Sequence, residues 1–535
     1  MTPAIRQMNA DEGSTKTTSG EPVPKHSPPD IPTAPPGRPN HLSLDQVSSV
    51  HLIGIGGIGM SALAHILLSR GIQVTGSDRS ESAITRRLAA EGARIDTGHA
   101  SAHVTDPDWV VYSAAIPAAN PERIAALQQG IPQMDRAALL GCIMKDYRHS
   151  VSVAGSHGKT TTTALLAMLL EWGGLDPTIL VGGELDAIGG NVKVGQSPVL
   201  VTEACEYQGS FLRFPARIGV VLNVDLDHLD YFKDLAAVQA VFLQFVRQLP
   251  PDGLLVMSAT DANSALLQKA APCPVVMIGV QDSMEPAVSV RNGTSPIDMV
   301  TASTLLPGPG GCWSFRLTRK NADLGRYQLG IPGRHNVHNA LAALAVAMEL
   351  GLDGEILRQL LPRFTGIHRR FEYHGLWNGV SIIDDYAHHP AEIQVTLEAA
   401  RTVQEESAKK ASPYEPGKTG RIICLFQPHT YTRTRALLQD FAHILALADL
   451  VVVTDIYAAR EPDEGLVHSR DLVALVNERG TLAVYAPDYA LAAKAAARMA
   501  QPGDMVITMG AGPVNEAVPL LTAEIQAGNF HQAGK

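Results

Sequence analysis

Residues 50–78, VHLIGIGGIGMSALAHILLSRGIQVTGSD, decide the fold class. A short apolar run ends in a glycine-rich turn, a stretch with helical apolar spacing follows, and a second apolar run closes on Asp78. The order is strand, loop, helix, strand. The same grammar recurs in SVSVAGSHGKTTTTALLAMLLEWGG (150–174) and in RIICLFQPHTYTRTRALLQDFAHIL (421–445), which the strand DLVVVTDIY (449–457) follows. Strands alternating with helices of this length predict parallel sheets covered on both faces. Three such starts predict an α/β chain of three domains. The first, 46–148, reads as a Rossmann-like domain; the second, 149–362, as a phosphate-loop domain with a mostly parallel sheet; the third, 363–535, as another Rossmann-like α/β domain.

The length of 535 residues suits three or four domains at roughly 150 residues each. Residues 1–45 stand apart. The stretch EPVPKHSPPDIPTAPPGRPN (21–40) carries eight prolines and few other apolar residues, so it cannot offset its ordering entropy and is expected to be a disordered tail. The polar stretch QEESAKKASPYEPGKTG (404–420) is expected to be a surface loop within the third domain.

Charge and cysteine usage exclude several classes. With 43 basic and 53 acidic side chains the net charge is −10, which argues against a nucleic-acid footprint. Anionic ligands stay open, because backbone amides bind phosphate inside an acidic protein. The five cysteines (Cys142, Cys205, Cys273, Cys312, Cys424) form no metal-type pair and fit a reducing compartment. The sequence contains neither a run of about 18 apolar residues nor a secretory-signal pattern, so a cytoplasmic protein without a membrane helix is expected.

Two glycine loops carry the chemistry. Gly54, Ile55, Gly56, Gly57, Ile58 and Gly59 spell G-x-G-x-x-G between strand and helix, Met60 and Ser61 open the helix, and Asp78 ends the next strand. The motif is a dinucleotide fingerprint, yet any nucleotide diphosphate can use the same amides and carboxylate, and a bare tight turn has the same spelling. The second loop is more specific. Gly155, Ser156, His157, Gly158, Lys159 and Thr160 follow a strand and open a helix. The loop resembles G-x-x-x-x-G-K-[ST], but is shorter, with Val153 where the longer form has its first glycine. Amides would cradle phosphates, Lys159 would meet the β/γ oxygens and Thr160 would reach Mg²⁺. Thr161, Thr162 and Thr163 are poor helix formers at a helix start, which suggests hydroxyls used as ligands or caps. Glu203 and Glu206 then stand at one strand terminus, and Asp225, Asp227, His228 and Asp230 just past the next. In doubly wound sheets these carboxyl ends form the ligand crevice.

GIGGIGMS, GSHGKTTTT, DHLD, GRHNVHNA, HRRFE, DDYAHHP and FQPHTYTRTR occur in that order, and together they resemble the Mur ligase family over about residues 49–515. The resemblance implies a three-domain enzyme of peptidoglycan synthesis whose substrates are UDP-N-acetylmuramate, L-alanine and ATP, with Mg²⁺ or Mn²⁺. It implies no nucleic-acid or membrane partner, and the expected assembly is a monomer or weak homodimer. By motif, Gly54 to Ser61 would hold the UDP diphosphate, with Asp78 in the UDP-sugar site, where its carboxylate can take ribose hydroxyls. Gly155 to Thr161, with His335, Asn336, Asn339 and Asp385, would hold ATP. The metal would sit on Thr160 with Glu203, Glu206 being the competing acid, and His228 would stand near a second ion. Arg369 or Arg370, and Asp384 with Asp385, would bring the third domain onto the nucleotide. Tyr386, His388, His429 and Arg433 would line the amino-acid site. The implied catalytic set is Lys159, His228, Arg370 and His388.

The implied chemistry is attack of a lactyl carboxylate on the γ-phosphate, then attack of an amine on the acyl phosphate, with His388 as the base that takes the ammonium proton. Two departures from the family pattern stand out. Thr430 follows the histidine of QPH where many members carry arginine, which shifts weight to Arg433 or Arg435. The helix AAVQAVFLQFVRQL (236–249) has no lysine, and Lys233 lies before it, so no carbamylated lysine is expected. The sequence is also compatible with three competing readings: a sister ligase that attaches a tripeptide to the same sugar, an NAD-dependent oxidoreductase using Gly54–Gly59 and Asp78, and a nucleotide-binding regulator without chemistry.

Overall fold

A computed structural model describes residues 43–228, 231–281, 298–411 and 419–528. Most of the proline-rich segment (1–42), Asp230 and residues 412–418 of the polar stretch lie outside the described residues.

The first sheet has five parallel strands in the spatial order Arg94–Thr97, Gln73–Asp78, Ser49–Ile53, Trp109–Tyr112, Gln133–Asp135. Its period-2 pattern feeds two cores. Val50, Leu52 and Val111 are buried in one, Ile53 and Val110 in the other, as a sheet covered on both faces requires. The chain starts at the central strand and builds outward to both sides, so the glycine loop after Ile53 opens at the topological switch point, where α/β sheets bind ligands.

The second sheet has ten strands in the order Ala322–Pro332, Cys312–Arg319, Asp298–Pro307, Val275–Val280, Leu254–Ser258, Ile218–Val221, His149–Ala154, Val199–Glu203, Thr178–Leu185, Gly190–Lys193. The inner pairings are parallel, and antiparallel hairpins extend both edges. The phosphate loop leaves His149–Ala154 between two neighbours, one ending on Glu203 and the other running on into Asp225 and Asp227. That register is what gathers acids around the loop. Helix Lys159–Trp172 packs against helix His335–Glu349. The latter presents Ala340, Ala342, Ala343, Ala345 and Ala347, all fully buried, and such small side chains allow close packing.

The third sheet runs Glu372–Trp377, Val380–Asp385, Met505–Met509, Ile422–Phe426, Leu450–Val453, Leu482–Tyr485, parallel apart from the first pair. Among the described residues no helix is long and apolar enough to cross a membrane.

One expectation needs correction. Residues 404–411 are not loop; they form the last turns of helix Pro390–Ala411. The segment is polar because it is a solvent-facing helix end: Glu405, Ser407 and Lys409 are exposed, and Lys409 pairs with Glu406 one turn back.

Candidate active site

The N-terminal glycine loop is held from below. Gly54 and Ile55 donate their amides to the Ser77 carbonyl, and Gly56 donates to Asp78 Oδ2 at 2.8 Å. Asp78 therefore braces the loop itself. Ile55 and Met60 are buried in the core, and Ser61 is buried with its hydroxyl donating to the Ile58 carbonyl. Gly57 precedes helix Ile58–Ser69, whose N-terminus opens on the loop, and Ile58 is exposed there. Sequence reading missed Arg136. Its side chain passes 3.0 Å from where a Cβ on Gly59 would sit, which sets a cation beside the loop.

The phosphate loop is clamped by the neighbouring strand. His157 N–H donates to Asn223 Oδ1 (2.8 Å) and Asn223 Nδ2 donates back to the His157 carbonyl (3.1 Å). Ser156 Oγ donates to the Asp225 carbonyl and accepts the Asp225 amide, 2.9 Å each. Asn223 also escaped the sequence reading; the available signal was a polar residue at the end of the apolar strand next to the loop. Gly155 and Gly158 have φ of +146° and +83°, and a Cβ on Gly158 would stand 2.6 Å from Asn339 Oδ1. Gly158→Ala thus combines left-handed strain with a clash. We expect its KM for ATP to rise at least ~10-fold, with part of the loss recovered in Gly158→Ala/Asn339→Ser; steady-state kinetics over an ATP series reads this, and an unchanged KM refutes it.

The two acids separate cleanly. Thr160 Oγ1 donates to Glu203 Oε2 at 3.1 Å, and Gly182 N–H donates to Glu203 Oε1. Glu206 is buried and takes Lys159 Nζ at 3.0 Å, with His228 Nε2 3.9 Å away. Burial works against charge on Lys159, but Glu206 outweighs it and raises the lysine pKa. Thr161 lines the cavity described next, whereas Thr162 and Thr163 are fully buried, so the threonine run splits between site and core.

A cavity of about 500 Å³ opens between the second and third domains. His157, Gly158 and Thr161 form one wall, His335, Asn336 and Asn339 another, and Arg370 and Asp385 face them from the third domain. Its size suits a nucleotide-scale ligand. Asn339 Nδ2 donates to Asn336 Oδ1, and Asn336 Nδ2 to the Pro332 carbonyl. Burial pushes His335 down to about 4, so it is neutral. His338, which the sequence reading left aside, also lines the cavity and bonds Ser258 Oγ through Nε2 at 3.0 Å. Asp385 is buried, which lifts its pKa to about 6 despite nearby Arg370; it accepts the Phe371 and Ala387 amides at 2.7 Å each. Arg369, by contrast, turns to Asp384 and to the carbonyls of Gly510 and Gly512.

The third domain brings Tyr386, His388, His429 and Arg433 together. The Tyr386 and His388 rings lie 5.4 Å apart, and those of His388 and His429 lie 5.8 Å apart. Arg433 Nη1 is 3.2 Å from His429 Nδ1. A guanidinium only donates, so Nδ1 accepts and His429 is neutral, in keeping with burial pushing its pKa down to about 4. Arg433 Nη2 donates across the domain boundary to Asp227 Oδ1 at 3.1 Å, both side chains being about one-tenth exposed. Burial alone would raise Asp227, yet His228 and Arg433 hold it far below the usual carboxylate range. A second cross-domain contact joins His157 Nδ1 to Glu392 Oε1 at 3.5 Å, while His157 Nε2 faces Asp225 Oδ2 at 3.5 Å. Burial opposes charge on His157, but the two acids lift its pKa to about 9. Arg435 lies on the same short helix as Arg433, near its end. Thr430 starts that helix, its hydroxyl accepting the Arg433 amide.

A glycine-braced loop, a phosphate loop with its lysine and acids, and a polar third-domain cluster in contact with the second domain define a three-domain nucleotide-dependent ligase. The chain belongs to the Mur ligase family: its catalytic-domain, middle-domain and glutamate-ligase-domain models match residues 49–148, 153–347 and 369–512 in succession. Among similar proteins, the UDP-N-acetylmuramate–L-alanine ligase of Alkaliphilus metalliredigens is 46% identical over 479 residues, 90% of this chain and 98% of that one. The ligase of the same name from Caldanaerobacter subterraneus subsp. tengcongensis is 46% identical over 475 residues, 89% of this chain and 97% of that one. The solved UDP-N-acetylmuramate-alanine ligase of Thermotoga maritima superposes with a TM-score of 0.70 at 27% identity, covering 90% of this chain and 99% of that chain. A murein peptide ligase from Psychrobacter arcticus shares the fold, with a TM-score of 0.61 at 24% identity over 90% of this chain and 99% of that chain.

Proposed function

We propose that this chain is an ATP-dependent ligase that joins L-alanine to the lactyl carboxylate of UDP-N-acetylmuramate, giving UDP-N-acetylmuramoyl-L-alanine, ADP and phosphate. The observation that carries the reading is how three groups are tied together: Lys159 on the phosphate loop, the cavity edged by His157, His335, Asn336 and Asn339, and the cluster of Tyr386, His388, His429 and Arg433, which Glu392–His157 and Arg433–Asp227 contacts join to the second domain. Relatives bearing that activity in their names align over nine-tenths of the chain. In this reading residues 46–148 hold the UDP-sugar, 149–362 hold ATP and 363–535 admit the amino acid. Such nucleotide substrates place the reaction in the cytoplasm.

Each step needs particular residues. The phosphate-loop amides and Lys159 hold the terminal phosphates in line with the lactyl carboxylate. Thr160 and Glu203 offer hard oxygen donors 3.1 Å apart and fit Mg²⁺ or Mn²⁺, with Glu206 and His228 as a second set. When bound, such an ion neutralises charge on the phosphate oxygens. Phosphorylation turns a poor electrophile into an acyl phosphate with a good leaving group. Arg370 and Asp385 draw the third domain over the nucleotide, which keeps water from the acyl phosphate. Arg433 then receives the carboxylate of L-alanine, and His388, whose pKa burial lowers, takes the ammonium proton.

The test is phosphate release with ATP and UDP-N-acetylmuramate across L-alanine, glycine, L-serine and an L-Ala-γ-D-Glu-containing tripeptide. L-Alanine is expected to lead glycine in kcat/KM by at least ~10-fold, the worth of one methyl group in a fitted pocket. Preference for the tripeptide assigns the chain to the sister activity instead.

A further inference from the structure

Glu392 lies between two sites that the reaction uses in succession. It occupies the first turn of helix Pro390–Ala411, two residues beyond the HHP sequence. One carboxylate oxygen, Oε2, accepts the His388 amide and stands 3.2 Å from His388 Nδ1. The other, Oε1, faces His157 Nδ1 of the phosphate loop at 3.5 Å. Burial would raise Glu392, but His388 and His157 keep it ionised well below the usual carboxylate range. His388 Nδ1 is also 3.0 Å from the Tyr386 carbonyl oxygen. A carbonyl only accepts, so Nδ1 carries the proton and the lone pair sits on Nε2.

We infer that Glu392 is a positioning residue for the amide-forming step: together with the Tyr386 carbonyl it holds the His388 ring in the tautomer whose Nε2 accepts the L-alanine proton, and it does so while its other oxygen faces His157 of the phosphate loop. The inference rests on the ligase reading above. L-Alanine arrives as an ammonium ion. One proton passes to His388 Nε2 and on to solvent, and the freed nitrogen lone pair forms the C–N bond. The tetrahedral intermediate collapses with breakage of the C–O bond to phosphate, and the second amine proton leaves with the phosphate. The carboxylate performs the orienting task that an acid performs for the histidine of a catalytic triad. The His157 contact adds a second property. Glu392 carries one contact to the base and one to the phosphate loop, which couples the position of His388 to the seating of the third domain.

The bland account is that Glu392 is a helix cap, since a third-position glutamate often reaches back to the backbone. Glutamine caps equally well, and that decides the experiment. Glu392→Gln is compared with the full-length wild type, after melting curves have matched, in two assays. The first is phosphate release with L-alanine; the second replaces L-alanine with hydroxylamine, which is already a neutral amine at pH 7.5–8 and needs no base. We expect kcat with L-alanine to fall about 10²-fold, the lower end of what general-base catalysis supplies, with KM for L-alanine shifting less than ~3-fold and hydroxamate formation staying within ~3-fold of wild type. His157→Asn should lower kcat with L-alanine in the same direction. Turnover of Glu392→Gln with L-alanine within ~3-fold of wild type overturns the inference in favour of a cap, and equal loss with both amines overturns it in favour of a role in the loop or in ATP binding. Wild-type hydroxamate formation without any L-alanine turnover overturns the ligase reading itself.

Discussion

Lys159→Ala is expected to lower L-alanine-dependent phosphate release by about 10³-fold while UDP-N-acetylmuramate affinity, read by calorimetry, stays within ~2-fold. The sugar nucleotide is assigned to the Gly54–Ser61 loop, on a different sheet, so the lysine has no direct part in holding it. The variant carries a second expected effect. Glu206 has a side chain 1% exposed and its ion-pair partner at 3.0 Å is Lys159. Removing the lysine leaves a buried carboxylate with only the more distant His228, a loss of about 3 kcal/mol by the usual cost of breaking a buried pair. Loss of activity could therefore be confused with loss of fold. Lys159→Ala/Glu206→Gln resolves this, because it removes the stranded charge: its melting temperature should recover while phosphate release stays about 10³-fold down. Near-normal turnover in either variant removes Lys159 from phosphoryl transfer.

The parts of this molecule that could be read from sequence are those whose chemistry is local. A phosphate loop lies between an apolar strand and a helix, and its lysine and threonine sit at fixed offsets from the glycine. So the order of strands and helices, the phosphate loop and the seven ordered motifs were legible. What escaped depends on contacts between distant stretches. Asn223 clamps His157 from 66 residues away, Arg433 meets Asp227 over 206 residues, and Arg136 lies against Gly59 from another strand-to-helix turn. Asn223 and Arg136 are ordinary polar residues until the sheet register places them, and for Arg433 and Asp227, which their motifs single out, it is the pairing that only the fold supplies. Asp78 gains a second task from the fold: besides its position at the strand end, its carboxylate accepts the Gly56 amide on one oxygen. Residues 404–411 were misjudged because polarity was weighed above helix propensity; glutamate, lysine and alanine are strong helix formers, and an exposed helix end needs no apolar stripe. Which acid faces Thr160 and which pairs with Lys159 could not come from spacing. It needed the geometry in which Thr160 faces one acid and Lys159 the other.

Arg433→Met is expected to lower kcat/KM for L-alanine by about 10³-fold, with hydroxylamine-trapped acyl phosphate within ~5-fold of wild type. Three functions converge on this guanidinium. It fixes the tautomer of His429, it forms an ion pair with Asp227 across the domain boundary, and its remaining N–H groups are the proposed seat of the amino-acid carboxylate. The charge arrangement makes the closed state selective. Asp227, on the second domain, is buried and anionic, and closure of the third domain supplies the cation that compensates it. In the same closure His157, cationic on the second domain, meets anionic Glu392 of the third. Two contacts of opposite polarity hold one register, since a displaced third domain would bring Arg433 towards His157 or Glu392 towards Asp227 and face like charges. A double-mutant cycle with Asp227→Asn separates the pair from the substrate contact. Asp227→Asn alone should cost about 10-fold in kcat/KM, leaving Arg433 free to meet the substrate carboxylate without its partner. Arg433→Met in the Asp227→Asn background should then cost about 10²-fold rather than 10³-fold, a coupling of about 1.4 kcal/mol, because the stranded Asp227 charge no longer adds to the loss. If Arg433→Met costs the same in both backgrounds, the ion pair contributes nothing to closure, and the contact between Arg433 and L-alanine alone must account for the whole effect.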